Sequence, residues 1–218
     1  RVSSTAAHEF RAREARGIPL TYAARMTDPN GMLGELRAAQ QALDDFASEA
    51  IAAKLERIAD DLASSLRAGG KILACGNGGS SADAMHFCEE LTGRYRDDRP
   101  PYAAISCTDP GHITCTANDY GFEHVFSRWI RGLGRQGDAL IALSTSGNSP
   151  NIIRAVDSAN DLGLTTVCLL GKGGGVLRGL GTHEILAPGE TSDRIQELHM
   201  LALHALVLGI ERRLAKPA

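Results

Sequence analysis

The sequence has no uninterrupted hydrophobic run of about 18 residues, the length that a membrane-spanning helix requires. Its most apolar stretch, near the C-terminus, is interrupted by Gln196, His199 and His204. The opening segment RVSSTAAHEFRAREARG also lacks the apolar centre of a secretory signal. These absences argue against a membrane partner, and we expect a cytoplasmic protein.

An excess of positive charge is missing too, because 23 lysine and arginine residues face 26 aspartate and glutamate residues, giving a formal net charge of −3. Proteins that bind nucleic acid or anionic membranes usually present a basic face. We therefore expect the partner to be a small molecule and not a nucleic acid.

Paired cysteine motifs are also missing. The chain has five cysteines, an odd number, and no CxxC motif, which argues against a zinc ribbon and against a disulfide framework. The cysteines lie in apolar or strand-like surroundings, which suits reduced thiols: Cys75, Cys88, Cys107, Cys115 and Cys168.

The chain does contain short apolar runs that alternate with helical patterns. Residues 1–30 are polar and non-periodic, which predicts a flexible or additional segment. From residue 32 to 67 apolar residues recur at steps of three and four, which predicts one or two amphipathic helices. Five short apolar runs follow, separated by helical stretches: KILACG, YAAISC, ALIALS, TTVCLLG and HEILAP. We predict an α/β fold with a doubly wound, flavodoxin-like, five-stranded parallel sheet, forming one domain with its N-terminal helices over residues 31–218.

The segment ALIALSTSGNSP runs from a predicted strand into a predicted helix and is rich in hydroxyls: Ser144, Thr145, Ser146 and Ser149. Free N–H groups and the helix dipole favour an anion at such a position, and hydroxyls add donors. Gly147 would permit the tight turn. The segment therefore predicts a phosphate loop, with a serine-rich turn capped by Ser149 as the alternative.

A second polar loop follows the first predicted strand: Cys75-Gly-Asn-Gly-Gly-Ser-Ser81. It matches neither a Walker A motif nor GxGxxG, so its glycines alone are weak evidence. Asn77 and Ser80 can donate hydrogen bonds, while Gly78 and Gly79 let the backbone approach a ligand. Two such loops at neighbouring strand ends predict a site for a phosphorylated small molecule. A third glycine-rich segment, GKGGG, is interpreted as a turn.

Two helical patterns carry groups suited to catalysis or metal binding. His86 and Glu90 lie four residues apart and share a helix face, which suits a metal pair, an acid and base, or a surface contact. On the C-terminal helix, Glu197 lies about 20° and Gln196 about 80° around the axis from His204, and spacing does not choose between them. His199 projects about 140° away from His204 and is interpreted as a packed or interface histidine.

The segment Ala117-Asn-Asp-Tyr-Gly121 lies between two helical patterns. Asn118 and Asp119 are therefore predicted either to meet a substrate's hydroxyls or to form an Asx-capped turn.

Four segments resemble those of the phosphoheptose isomerases, within the wider SIS (sugar isomerase) group: CGNGGSSADAMHFCEELTGRYR, TANDYGFEHVFSRWIRGLG, STSGNSPNI and DRIQELHMLALH. The resemblance keeps motif order from about residue 33 to residue 214 and does not cover the first 30 residues. STSGNS alone indicates a SIS domain, whereas HFCEEL together with RIQELHMLALH narrows the resemblance to these isomerases.

The resemblance implies an isomerase that converts sedoheptulose 7-phosphate to D-glycero-D-manno-heptose 7-phosphate, the first step of bacterial heptose biosynthesis. It implies a homotetramer with sites at subunit interfaces and one zinc ion per subunit, with four ligands: His86, Glu90, Gln196 and His204. It thereby selects Gln196 over Glu197. The implied substrate contacts are Asn77, Gly78, Gly79, Ser80, Glu90, Asn118, Asp119, Ser144, Thr145, Ser146, Ser149, Asp193 and Gln196.

Such a reaction needs a base, an acid and stabilisation of an enediolate. Our hypothesis makes Glu90 the base and His204 its acid/base partner. The alternative is a non-catalytic SIS adaptor or a sugar-phosphate sensor, which need not keep both groups. Other SIS enzymes, such as arabinose 5-phosphate isomerases, are not expected to combine HFCEEL with RIQELHMLALH.

Overall fold

The structure, a computed structural model, describes residues 31–215, so the predicted N-terminal segment lies outside the described residues. Seven α-helices are described: α1 Gly31–Phe46, α2 Glu49–Arg67, α3 Gly79–Thr92, α4 Pro110–Tyr120, α5 Val125–Leu133, α6 Pro150–Asp161 and α7 Ser192–Leu214. The strands are β1 Ile72–Gly76, β2 Ala104–Ser106, β3 Ala139–Ser144, β4 Thr165–Leu170 and β5 His183–Leu186, and 3₁₀ turns cover Phe122–His124 and Lys172–Leu177.

The chain divides into two units inside α1, the first ending at Gln41 and the second beginning at Ala42. The features described below lie in the second unit. The periodic stretch from residue 32 to 67 forms two helices, because Ser48 caps α2 by accepting a hydrogen bond from the Ile51 N–H. No helix within residues 31–215 is long and apolar enough to cross a bilayer.

The five strands form one parallel sheet in the order β2-β1-β3-β4-β5, which confirms the predicted doubly wound fold. Every residue of β1 and β3 is buried, as expected for a sheet covered on both faces. Alternate residues enter two separate cores. Ile141 packs in the core that α2, α3 and α7 share, while Leu140 packs in the core formed with α5 and α6. Each fully buried leucine or isoleucine contributes roughly 1.5–3 kcal/mol.

The strand order reverses direction between β1 and β3, since β2 lies on one side of β1 and the later strands lie on the other. The loops that follow β1 and β3 therefore leave the same edge of the sheet at adjacent strands. Ligands of doubly wound sheets bind at this position. The fold thus brings the two polar loops found in the sequence together.

Candidate active site

The serine loop that follows β3 is held by its own hydroxyls. The Gly147 N–H donates to Ser144 Oγ at 3.0 Å, and Ser144 Oγ lies 3.5 Å from Ser149 Oγ. Thr145 Oγ1 lies 3.0 Å from Ser192 Oγ, which joins the loop to the start of α7. Ser149 precedes α6 without making a side-chain capping bond, so its hydroxyl is not used as an ordinary N-cap. The helix N-terminus and its hydroxyls therefore suit a phosphate group.

The GKGGG segment is a turn, as predicted, and it supports the serine loop. Gly147 has φ +66°, and a Cβ there would lie 1.8 Å from the Gly174 carbonyl oxygen. The Val176 N–H donates to Asn148 Oδ1 at 3.0 Å. The turn and the loop are thus packed so closely that only glycine fits at position 147.

The loop after β1 is tied to the serine loop by an amide pair. Asn77 Nδ2 donates to Asn151 Oδ1 at 2.9 Å, and Asn151 Nδ2 donates back to Asn77 Oδ1 at 2.8 Å. Asn151 is buried in the first turn of α6. The side chain of Asn77 therefore holds this loop beside the start of α6.

Gln196 of α7 lies against the start of α3. Gln196 Nε2 donates to Ser80 Oγ at 3.4 Å, and a Cβ on Gly79 would lie 2.6 Å from Gln196 Oε1. Glu197, its neighbour, is instead exposed and forms an ion pair with Arg194. Neither of the two residues that the sequence left as partners of His204 contacts that histidine. The structure thus separates Gln196, at the site, from Glu197, at the surface.

Three side chains from α3 and α7 converge further along the same pair of helices. His86 Nε2 lies 3.1 Å from His204 Nε2 and 3.4 Å from Glu90 Oε1. All three offer ligand atoms within 4.8 Å of one another. The Glu90 side chain is only 13% exposed, so its charge is shielded from most of the solvent. The predicted His86–Glu90 pair is therefore completed by His204.

The donor set fits a zinc ion. Ligand atoms 2.0–2.1 Å from a tetrahedral metal lie about 3.4 Å from each other. Two of the three separations in the cluster, 3.1 Å and 3.4 Å, are close to that value, and all three are below 4.8 Å. Two imidazole nitrogens and a carboxylate oxygen are also ligand types that zinc prefers. Gln196 lies two turns, about 12 Å along the helix, from His204.

The sequence did not identify three further residues around this cluster. The Tyr95 ring stacks on His204 with centroids 5.7 Å apart, and Glu89 Oε1 lies 4.0 Å from His86 Nδ1. Asp83 lies one turn before His86 and leaves Oδ2 buried without a hydrogen-bond partner. Burial raises the pKa of the Asp83 carboxyl to about 6, and the nearby His86 opposes the shift. Tyr95 gave no signal because its partner His204 is distant in sequence, whereas Asp83 and Glu89 each lie three residues from His86 on the same helix.

Asn118 and Asp119 occupy the last turn of α4, so the alternative of an Asx-capped turn between two helical patterns was wrong, while their contact with a substrate stays a prediction. Their polar contacts are local: Asn118 Nδ2 donates to Asp119 Oδ1 at 2.7 Å, and Cys115 Sγ lies 3.6 Å from Asp119 Oδ2. The helix continues to Tyr120 and ends at Gly121, whose φ of +93° is not helical. Both side chains stay exposed.

Two other residues of α7 occupy different environments. Asp193 lies in the first turn, where a hydrogen bond from the Thr191 hydroxyl lowers the pKa of its carboxyl. His199 is fully buried, which confirms its interpretation as a packed histidine. Burial lowers the pKa of His199 to about 4, and the Leu170 backbone opposes this effect.

Comparison with known proteins places this site in a family. A SIS domain is matched over residues 36–171. A phosphoheptose isomerase of Tolumonas auensis is 53% identical over 183 residues, which cover 83% of this chain and 95% of that protein. One from Fusobacterium nucleatum is 55% identical over 157 residues, covering 72% of this chain and 81% of that protein. The chain belongs to the phosphoheptose isomerase family.

Solved structures of phosphoheptose isomerases agree with this assignment. The enzyme of Francisella tularensis superposes with a TM-score of 0.81 at 34% identity, covering 85% of this chain and 99% of that one. That of Neisseria gonorrhoeae superposes with a TM-score of 0.76 at 37% identity, covering 83% of this chain and 97% of that one. The shared fold extends over nearly the whole of both relatives.

Proposed function

We propose that this enzyme converts sedoheptulose 7-phosphate to D-glycero-D-manno-heptose 7-phosphate, the first step of bacterial heptose biosynthesis. The observation that carries the proposal is the cluster of His86, Glu90 and His204, built beside two phosphate-type loops in a phosphoheptose isomerase. The conversion is an aldose–ketose isomerisation of an open-chain sugar phosphate.

The reaction moves a proton from C1 to C2 of the open-chain ketose, through an enediol. We assign Glu90 as the base that removes the C1 proton and returns one to C2, because its carboxylate is shielded from solvent and lies in the cluster, 3.4 Å from His86. His204 exchanges protons with the oxygens on C1 and C2, since the C2 carbonyl becomes a hydroxyl and the C1 hydroxyl becomes a carbonyl. Since their ligand atoms lie within 4.8 Å of each other, both groups can reach neighbouring atoms of one substrate.

The rest of the site binds the substrate. The serine loop and the N-terminus of α6 offer hydroxyl and backbone donors to the phosphate: Ser144, Thr145, Ser146 and Ser149. The loop after β1 adds Gly78, Gly79 and Ser80, with Asn77 holding it in place. We assign the sugar hydroxyls to four other polar side chains: Asn118, Asp119, Asp193 and Gln196.

We further propose that His86, Glu90 and His204 hold one zinc ion per subunit. Because a carboxylate firmly bound to zinc is a poor base, Glu90, and likewise His204, would act on a proton only when ligand exchange during turnover frees it from the metal. When bound, zinc would polarise the carbonyl and stabilise negative charge on the enediolate oxygens. Catalytic zinc sites commonly use three protein ligands and leave a position open, which three donors here allow. A ligand role for Gln196 stays a prediction and would need its amide to turn away from Gly79 and Ser80.

We also propose that residues 31–218 act as one SIS domain in a cytoplasmic homotetramer. An apolar groove of about 360 Å³ between α2 and α7 supports the oligomer, since it is lined by Leu55 and Leu201 among other apolar residues. An apolar surface of this kind is stabilised by burial against another chain.

The experiment is turnover of sedoheptulose 7-phosphate by purified protein, before and after chelation and after zinc is restored. We expect aldoheptose phosphate to form, to stop on chelation and to resume with zinc. Turnover that survives complete removal of metal would overturn the zinc role alone. Absence of conversion by folded, zinc-loaded protein would overturn the enzyme assignment and favour the non-catalytic SIS adaptor or sensor.

A further inference from the structure

Arg99 lies outside the proposed catalytic cluster, in the irregular segment between α3 and β2, yet its guanidinium is largely buried. Its side chain is 11% exposed and that of its partner Glu211 is 15% exposed. Arg99 Nε donates to Glu211 Oε1 at 2.8 Å, and the guanidinium also lies over the Tyr102 ring at 4.5 Å. A buried arginine with so many contacts is held in one position.

The same guanidinium binds the end of α3. Nη2 donates to the Glu90 carbonyl at 2.6 Å, and Nη1 donates to the carbonyls of Leu91 at 2.7 Å and Gly93 at 3.1 Å. The last carbonyls of a helix lack partners inside it and carry partial negative charge. Arg99 therefore caps the helix that carries His86 and Glu90, and one of its bonds goes to the backbone of Glu90 itself.

Glu211 connects this cap to the other helix of the cluster. It follows His204 by seven residues on α7, which places both side chains on nearly the same face, about 10 Å apart along the axis. Beyond the contact of Gln196 with the start of α3, the two helices are thus joined at two further points: the three ligand atoms, and the Arg99–Glu211 ion pair at the end of α3. A shift of α7 along α3 would separate His204 from His86 and would break the ion pair.

We infer that Arg99 and Glu211 are positioning residues that set the distance between His204 and the His86–Glu90 pair. Metal sites and proton transfers require ligand atoms held to about 0.5 Å. Outer groups that orient metal ligands commonly change metal affinity by 10–100-fold. This inference rests on the proposed function, because it gives the cluster a metal to hold.

The test is Co²⁺ binding to the metal-free protein, followed by the visible absorption of the bound ion. We expect Arg99→Lys, Arg99→Gln and Glu211→Gln to bind Co²⁺ at least about tenfold more weakly and with a changed spectrum. Lysine keeps the charge but lacks the planar fork of five donors, so Arg99→Lys should retain more stability than Arg99→Gln while still binding Co²⁺ weakly. At limiting zinc the variants should lose kcat, while KM changes little because the phosphate loops lie at the opposite end of α3.

The matched control is Arg213→Gln. Arg213 also lies near the end of α7 and pairs with Glu56 and Asp60, which belong to α2 and not to α3. Its loss should lower stability and leave Co²⁺ affinity within about twofold. If Arg99→Gln fails to fold, Arg99→Lys and Glu211→Gln still decide the question.

Two outcomes would overturn the inference, and they differ. Unchanged Co²⁺ affinity and spectrum in the Arg99→Lys and Glu211→Gln variants would remove the positioning role and leave the proposed metal site intact. Absence of Co²⁺ binding by the unmodified protein would remove the metal site, and the inference with it.

Discussion

The side-chain amides of Asn77 and Asn151 donate hydrogen bonds to each other's oxygens, at 2.9 Å and 2.8 Å. One amide follows β1 and the other lies in the first turn of α6, so the pair joins the two loops at the point where strand order reverses. A reciprocal pair satisfies both groups without a charge, which suits a buried position next to an anion site.

We expect Asn151→Asp to weaken substrate binding. The carboxylate can accept a bond from Asn77 but cannot return one, and its negative charge lies beside the proposed phosphate site. KM for the sugar phosphate should rise at least about tenfold, and stability should fall by about 1–3 kcal/mol. Asn160→Asp, in the last turn of the same helix, is the control and should leave KM unchanged. An unaltered KM in Asn151→Asp would contradict the role of the pair.

Gly147→Ala should abolish activity through the backbone. A methyl group would collide with the Gly174 carbonyl, and φ +66° is unfavourable for alanine. Gly132→Ala is the control, because Gly132 lies in α5 with open space around it and should gain up to about 1 kcal/mol. Steady-state kinetics and urea unfolding of the two variants distinguish loss of the loop from loss of the fold. Normal kinetics in Gly147→Ala would show that the loop tolerates displacement.

Glu90→Gln should lower kcat by about 10²–10⁴-fold with the fold intact, as expected for loss of a catalytic base. Glu89→Gln provides the matched control, since Glu89 is 64% exposed and approaches His86 only to 4.0 Å. Its kcat should fall much less. Full turnover by a well-folded Glu90→Gln variant would rule out Glu90 as the base.

His199 should make the protein less stable in mild acid. Its folded pKa of about 4 lies below the ordinary value of 6.5, so the unfolded chain binds a proton that the folded chain does not. Stability is therefore fully present above pH 6.5 and is lost as the pH falls towards 4, by about 1.4 kcal/mol per pH unit. His199 should thereby contribute a difference of roughly 2 kcal/mol between pH 7 and pH 5 in urea unfolding, which the Asp83 carboxyl partly offsets because its pKa is raised to about 6.

His199→Leu should remove most of that difference. Both ring nitrogens of His199 are buried without a hydrogen-bond partner, so an apolar replacement should be nearly neutral at pH 7. If the His199→Leu variant kept the same pH dependence of stability, other titratable groups would be its cause.

The sequence predicted those features that depend on local pattern. Buried parallel strands read as continuous apolar runs, so all five were predicted, and the serine loop followed from its place after one of them. His86 and Glu90 were paired by their spacing on one helix. Helical spacing placed His204 on the C-terminal helix but did not bring it to His86, because that contact joins residues far apart in the chain; only the resemblance to phosphoheptose isomerases put the two histidines in one site.

Features that depend on long-range packing were missed or misread. Asn151, Tyr95 and Arg99 carry no local signal, since each is defined by a partner on another element. The segment around Asn118 was placed between two helical patterns, as a substrate contact or an Asx-capped turn, yet the helix runs on until Gly121. Local polarity therefore indicates where a site can be, while tertiary contacts decide which side chains meet there.

The stretch of helix α3 between Gly79 and His86 matches the proposed substrate in length. His86 follows Gly79 by seven residues, so about 10 Å of helix separates the end nearest the phosphate loops from the reacting cluster. An extended seven-carbon sugar phosphate covers roughly the same distance from C1 to phosphorus, at about 1.3 Å of advance per single bond. A five-carbon sugar phosphate would fall short by about 2.5 Å. The spacing between the two ends of the site would then favour a seven-carbon over a five-carbon sugar phosphate.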